Sequence, residues 1–493
     1  MGIDNRHPDY VFREPDWQMM TDLYAGERVV KEKNTAYLPP TPGMIADGVY
    51  GAGDLPGKRA YEAYLSRAHM PDFVKDAVGT LVGVMHRKPP SIKVPAEMEE
   101  WVKDLSRQGE SAELLLRRIN EQQLLKGRYG LLVDVDDAEG RLRLVPYLTE
   151  SIINWDDDRT QEFAANRLNF LVLQEDIFER TLEDPYAWVE TSRFRVCQIN
   201  EQNTYETFTE TESTQSDVIE PVFRGKPLPG IPFVSIGAND LLISPDDIPL
   251  LGLGRLTLLA YRGEADLRQT LFMLGQDTLV VTGADEEVDE HGNPLKSGAT
   301  RLGAGARIDV PMGGDAKFIG VKGDGLPEQR RVLADDYIRA RELGSRLLEQ
   351  RTGQAESGEA LKTRVAAATS TLTQLAKTSA AGLERALKIM AEWAGFDPEQ
   401  VRVEPNLDFA EANAPPQALL ALMQGKQAGA PLSLEEIHAW ARRNGFTTLT
   451  FEEETQRIMA ERNLMLASAA PVTLSAPDEP DEPDEPDDEP DPE

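Results

Sequence analysis

The sequence predicts an α+β protein in which helices predominate. Three observations predict it. Apolar residues recur at helical spacing through most of residues 1–130. They alternate with period two in segments between Tyr129 and Ile236, then return to helical spacing from Leu251 onward. Strands that follow a helical start, rather than interleaving with helices one by one, point to the α+β class.

The first region begins with Asp16, placed to cap a helix running through Met19, Met20, Leu23 and Tyr24. Pro39-Pro40-Thr41-Pro42-Gly43 breaks the chain. Residues 59–69 and 71–87 are two further helices, the latter with Phe73, Val74, Ala77, Val78, Leu81, Val82 and Met85 at helical steps. Helices at 99–105 and 112–126 follow. In the second of these, Leu114, Leu115, Ile119, Leu124 and Leu125 make a wide apolar stripe. Strands are expected at 129–135 and 141–148 around the turn Asp137-Ala138-Glu139-Gly140, and again at 169–173, 187–199 and 232–236.

The middle of the chain is its most informative part. A long helix over 251–275 carries Leu253, Leu256, Leu259, Ala260, Leu267, Leu271 and Leu274 on one face. Arg255, Arg262, Glu264, Asp266 and Arg268 lie on the other. A turn-rich insert, 276–325, opens with a strand at 278–282 and closes with one at 317–321. Pro327 then suits the first turn of a second long helix reaching about 352. There Val332, Leu333, Tyr337, Ile338, Leu343 and Leu347 recur at three- and four-residue steps. A third helix spans about 358–395. After Pro415-Pro416, a capping box of Ser433 and Glu436 starts a helix at 434–443, and another covers 451–466.

With 493 residues the chain needs more than one ordinary core. Its 28% charged and 40% hydrophobic residues are those of a folded protein. The formal net charge is −33. Such a surface repels phosphate and argues against tight nucleic-acid binding as the main task. The last stretch, 477–493, repeats Asp-Glu-Pro without apolar residues and is expected to stay disordered. Without its acidic side chains the body still carries about −22. The single cysteine, Cys197, excludes an intrachain disulfide and reads as a structural thiol in a strand. No secretory or myristoylation signal and no membrane span is expected, which places the protein in a reducing, soluble compartment.

Candidate chemistry is sparse. Asp134, Asp136 and Asp137 end one strand, and Asp156, Asp157 and Asp158 follow Trp155. Carboxylates at strand ends can hold magnesium, so a metal-dependent nuclease is the competing reading. In a chain this acidic, solvated turns account for them better, because no paired His or Lys accompanies them. The five histidines, His7, His69, His86, His291 and His438, show no metal-ligand spacing. The glycine runs at 303–305, 313–314 and 320–325 lack the Gly-Lys-Ser/Thr ending of a phosphate loop. Neither a catalytic residue nor a metal or cofactor site is assigned. The segment 326–364 is instead rich in cations: Arg330, Arg331, Arg339, Arg341, Arg346, Arg351, Lys362 and Arg364, against a similar number of carboxylates. Pairing along a solvated helix is the plain reading of each. Lining a channel, or pairing with a neighbouring subunit, is the sharper one.

Several stretches taken in order resemble the portal (head-tail connector) proteins of tailed bacteriophages, in a subfamily often carried as an uncharacterised domain. They are Tyr24-Ala25-Gly26 with Tyr37-Leu38-Pro39; 61–68 and 81–90; and Gly127-Arg128-Tyr129-Gly130-Leu131-Leu132-Val133-Asp134. Ile231-Pro232-Phe233-Val234 leads to Pro249-Leu250-Leu251-Gly252-Leu253, and Ser357-Gly358-Glu359-Ala360-Leu361-Lys362 matches a wider portal element. The acidic helix at 451–461 completes the series. Gly252 and Gly254 depart from it, standing where the pattern carries Asp and Ala, and weaken the helix start.

The resemblance implies a portal-like fold: an α/β wing at 1–250, stem helices at 251–275 and 326–352, and a small β-rich clip at 276–325. A tunnel loop at 353–358, including Gln354, Ala355, Glu356, Ser357 and Gly358, precedes a long wing helix at 359–404, a helical crown at 405–466 and the acidic tail at 467–493. It implies a non-enzymatic ring, a dodecamer at one capsid vertex of the virion, assembled in the bacterial host cytoplasm. That ring would conduct double-stranded DNA without sequence specificity during packaging and ejection. Its implied partners are the large terminase subunit, scaffold and major capsid protein, and head-completion or adaptor proteins, with no membrane and no cofactor. Twelve copies would carry about −400, a field that keeps DNA from adhering to the conduit. A short adaptor-type head protein fits the length less well. Truncation after Ala476 is expected to leave the thermal unfolding profile of the remaining chain unchanged; a loss of soluble protein would show that the tail contributes to the fold.

Overall fold

The computed structural model describes residues 2–136, 140–156, 168–180, 184–211, 214–275, 278–282, 315–319, 323–345, 358–409, 416–443, 446–447 and 449–468. The protein is α+β with helices predominating, and it divides into two compact units, Met1–Phe409 and Ala410–Glu493.

The larger unit starts with α1 (Pro8–Ala25), α2 (Glu27–Glu32), α3 (Pro42–Ala46), α4 (Pro56–Arg67) and α5 (Phe73–Met85). After the short β1 (Ser91–Lys93) comes α6 (Ala112–Lys126), which covers the residues its apolar stripe predicts. Its Ser111 Oγ accepts the Leu114 N–H, a side-chain N-cap. Strands β2 (Arg128–Asp136), β3 (Arg141–Leu148), β4 (Ile152–Trp155), β5 (Phe170–Arg180), β6 (Trp188–Ile199), β7 (Tyr205–Glu210), β8 (Val222–Phe223), β9 (Lys226–Pro227) and β10 (Phe233–Gly237) follow. Then come α7 (Leu251–Leu274), β11 (Thr278–Thr282), β12 (Asp315–Ile319), α8 (Leu326–Ser345), α9 (Gly358–Ala394) and β13 (Arg402–Glu404). The smaller unit holds α10 (Pro416–Gln427), α11 (Leu434–Arg443) and α12 (Phe451–Ser468).

All sheet pairings between these strands are antiparallel. One sheet runs β10-β2-β3 and a second β4-β5-β6-β7; β1-β13, β8-β9 and β11-β12 are pairs. In the first sheet Tyr129 faces Leu148 and Asp136 faces Arg141. Leu131, Leu132, Val133, Leu142 and Leu144 are buried there. α9 lies against this sheet and against α6. Its Leu372, Leu375, Ala376, Leu383, Ala386, Leu387 and Met390 are all buried. Gly382 makes the approach to β10 possible. A Cβ at that position would stand 2.5 Å from Ile236 Cγ1, an atom next to a branch point with little freedom to yield.

Arg128 joins the layers. Its guanidinium donates to the carbonyls of Thr149, Ile152 and Ile243, with the Ile152 bond at 2.9 Å. It lies 4.4 Å from the Trp155 ring centroid and 5.6 Å from that of Trp17. Burial pushes it down to about 9, so it remains a cation at neutral pH.

Three expectations are corrected. Asp16 caps nothing: α1 begins eight residues earlier, because Pro8 suits the first turn and His7 Nδ1 accepts the Asp9 N–H at 3.2 Å. Residues 99–105 are not an α-helix. Short 3-10 turns occupy Ala96–Met98 and Trp101–Lys103, and the Leu105 backbone is instead taken by Glu110 and Leu144. The start of α7 is continuous despite Gly252 and Gly254. Gly254 is buried where a Cβ would meet Met20 Sδ at 2.4 Å, so the missing side chain lets α7 close on α1. The glycine-rich piece 303–314, His291 and the acidic tail lie outside the described residues.

Gly382→Ala is expected to lower stability by about 1–3 kcal/mol in urea unfolding, the usual effect of overpacking a tight contact. Gly79→Ala, on α5 with open space around it, should cost nothing in the same assay.

Candidate functional site on the α7–α8 pair

α7 and α8 run antiparallel. Leu274 lies beside Gly323, Leu333 beside Gly263, and Leu253 beside Gly344, so the order of contacts reverses along the two helices. β11 and β12 extend the pair beyond the ends of the helices, Thr278 opposite Ile319 and Thr282 opposite Asp315.

The inner face of α7 is Leu253, Thr257, Tyr261 and Ala265, one residue per turn and all buried. This stripe is rotated from the leucine face that spacing suggests. Small Gly254 and Ala265 let the helix sit close to α1, α4 and α5, and Leu259 and Leu271 turn outward. Leu259 is 51% exposed, and Ile338 and Val332 on α8 are 54% and 55% exposed. A shallow cleft of about 440 Å³ between the helices is floored by Leu256, Leu259 and Leu343 and rimmed by Arg255, Arg339 and Glu342. An apolar floor with charged rims is the make-up of a contact surface between macromolecules.

Polar side chains fix the pair to the body. Tyr64 Oη donates to Asp266 Oδ1 at 2.6 Å, and Tyr337 Oη donates to Glu264 Oε1 at 3.0 Å. Burial, reinforced by Glu264, pushes the Tyr337 phenol up to about 12. Tyr64 is raised further, by burial first and then by Asp266. Arg67 donates to Gln269 and stacks over Phe272, 4.0 Å from the ring centroid. The Phe73 and Tyr337 rings meet edge to face at 5.0 Å. Sequence spacing gives no sign of these cross-element bonds, since Tyr64 and Asp266 are 202 positions apart.

The cations divide. On α8, Arg331 pairs with Glu328 at 2.8 Å and Arg339 with Asp336 at 3.6 Å, both one turn away on the same helix. Arg330 and Arg341 are exposed and make no ion pair among the described residues. Lys362 and Arg364 stand on α9, which Gly358 opens, and their side chains lie outside the described residues. Arg346, Arg351, Gln354, Ala355, Glu356 and Ser357 lie outside them entirely.

The acidic clusters are engaged elsewhere. Asp134 accepts from Arg107 and Arg195, at 2.9 and 3.1 Å, and Asp136 accepts from Arg143 at 2.8 Å. Asp137, Asp157 and Asp158 are outside the described residues. No group of three His, Cys, Asp or Glu arranged for a metal occurs among the described residues. Cys197 is buried in β6 beside the Tyr205 hydroxyl at 3.5 Å, and burial pushes its thiol up to about 11. His7 stacks on Trp155 at 4.1 Å; His86 is held neutral near neutral pH, its pKa pushed down to about 4 by burial and Arg117. Among the described residues no helix is long and apolar enough to cross a membrane.

The model of a family described as a domain of unknown function (DUF4055) matches residues 249–394, the block from the approach to α7 to the end of α9. No functionally curated protein matches the chain significantly. Among solved structures, a chain in the neck of an empty GTA particle, computed with C6 symmetry, is similar with 14% identity and a TM-score of 0.36, over 74% of this chain and 88% of that one. A chain in the virion of a native gene transfer agent particle gives 14% identity and 0.37, over 81% and 97%. One in the neck of the native particle, computed with C12 symmetry, gives 12% and 0.34, over 74% and 88%.

Tyr64→Phe is expected to destabilise the chain by about 1–3 kcal/mol, because it leaves the Asp266 carboxylate without its buried donor. Asp266→Asn keeps an acceptor and should cost less; equal losses in thermal unfolding would mean that the bond contributes nothing specific.

Proposed function

We propose that this chain is a structural protein of a tailed-phage particle and, more finely, its portal: a subunit of a closed homo-oligomeric ring through which double-stranded DNA passes. The observation that carries the reading is the α7–α8 pair itself. Two long antiparallel helices, extended by a two-stranded β segment and followed by a 37-residue helix, bear an outer face on which Leu259 and Ile338 are exposed among the described residues. The face is not self-complementary along one line. The exposed Leu259 of α7 and the exposed Val332 and Ile338 of α8 suit a head-to-tail contact, which closes into a ring when the rotation per subunit divides the circle. The ordered motifs between Tyr24 and Glu461 support the same reading, and the family model falls on its helical centre.

In this reading the stem is α7 and α8, the clip lies around β11 and β12, and Arg330 and Arg341 are the described cations left for the lumen or the next subunit. The terminase, scaffold, coat and head-completion proteins are the partners such a ring requires, and the site is the capsid vertex. The role asks for no covalent chemistry. The nuclease alternative is weakened by the arginines that hold Asp134 and Asp136.

Negative-stain images of the purified chain are expected to show rings with a central hole, and light scattering a mass of many subunits. Leu259→Asp with Ile338→Asp, both at exposed positions, should shift the mass to the monomer without changing the helical circular dichroism. A wild-type monomer that cleaves DNA with magnesium would replace the ring reading with the nuclease.

A further inference from the structure

One concave surface of the larger unit stands apart from the acidic character of the chain. A cleft of about 380 Å³ lies between the exposed side of α9 and β13. Lys377, Arg385 and Lys388 line it from α9, each within about one residue of a full number of helical turns from the others, so they share one side of the helix. Arg402 reaches the same place from β13, where it bonds Glu384. Ala380 and Ala381 form the floor, small enough for a ligand to approach the helix.

Glu384 is the carboxylate that lines this cleft, and its charge is already used. It accepts from Lys388 at 2.7 Å, from Arg402 at 3.3 Å, and from the backbone N–H of Val403 at 2.9 Å. These partners hold its pKa below the ordinary carboxylate value against the opposing effect of burial. Lys377 and Arg385 are exposed and make no hydrogen bond or ion pair among the described residues. Three lining cations, with Arg402 bonded to the one lining carboxylate, leave the cleft positive in a chain of net charge −33.

We infer that the cleft between α9 and β13 is a backbone-phosphate site for double-stranded DNA, on the body of the protein and separate from the α7–α8 face. The assignment rests on the reading of the chain as a DNA conduit. The chemistry of the cleft selects the ligand. Lys and Arg contact phosphates and carry no sequence information. Aromatic rings, on which unpaired bases would stack, are absent from the described lining, so a single strand has no platform there. Asn and Gln, which read adenine edges, are absent from it too. With so few contacts, the repulsion of the rest of the surface keeps the binding weak and confines it to low salt, as a protein past which DNA must move requires.

The test uses the full chain and a short blunt DNA duplex, with binding followed by fluorescence anisotropy between 50 and 200 mM salt. Lys377→Gln with Arg385→Gln removes the two unpaired cations and leaves Glu384 and its partners in place. The expected result is a loss of about tenfold or more in affinity at the lowest salt, and a slope of log affinity against log salt shallower by about 2. Lys377→Arg with Arg385→Lys should restore both. Negative-stain images of the same samples separate this proposal from the one beneath it. Rings in both proteins with unchanged duplex affinity would overturn the cleft and leave the ring standing. Rings absent from the wild type would overturn the conduit reading and with it the cargo assigned to the cleft. Wild-type binding to polyglutamate, undiminished by the substitutions, or tighter than to duplex, would overturn it in favour of an acidic protein surface.

Discussion

A fully buried guanidinium holds the larger unit together. Arg128 starts β2 directly after α6, and its side chain enters a site walled by Trp17 of α1 and Trp155 of β4. Removing a cation from water is costly unless each donor finds an acceptor. Here the donors meet carbonyls from the turn before β4, from β4 itself, and from Ile243 on the path to α7. No carboxylate pairs directly with it among the described residues, so the ring faces and carbonyl dipoles carry the stabilisation. Because those partners come from three separated segments, Arg128 is satisfied only when α1, both larger sheets and the approach to α7 are in place together.

The same layout explains why α7 can leave apolar residues outside. Its inner stripe is closed over by α1, α4 and α5, and its polar flank is tied by Tyr64, Arg67 and Tyr337. The helix is therefore held in one orientation by the body, and the leucines that remain uncovered are free to serve another surface. A helix fixed only by its hydrophobic stripe would rotate to bury Leu259 and Leu271, since that burial is favourable by about 1.5–3 kcal/mol for a whole side chain. That these residues stay outside is what gives the outer face its significance. The cleft on α9 follows the same logic. The helix buries one side against β10 and α6, and the opposite side is left to display cations whose one nearby carboxylate is occupied.

Much of the secondary structure was legible in the residues. The apolar stripe of Leu114, Leu115, Ile119, Leu124 and Leu125 defined α6, Pro327 marked the start of α8, and the Ser433–Glu436 box that of α11, where the Ser433 hydroxyl accepts the Glu436 N–H. The failures have separate causes. Asp16 looked like a cap, but His7 and Pro8 supplied an earlier start. Residues 99–105 looked helical, but Glu110 and Leu144 claimed the Leu105 backbone from afar. The strands β4 and β7 went unnoticed because four to six residues give too short an alternation to stand out.

The sequence by itself determined the α+β class, the order of helix, insert, helix and helix around residues 251–394, and the acidity of the chain, because each depends on local periodicity or on composition. Only the tertiary structure decided which side of α7 is covered. That depends on the volumes of Gly254, Tyr261 and Ala265 against three other helices, which no local pattern records. It also decided that Asp134 and Asp136 are bound by arginines, and that Lys377, Arg385 and Lys388 line one cleft in which Glu384 bonds Arg402 of β13. Charges widely separated along the chain interact through space, and their balance at any point is fixed only when the backbone has brought them together.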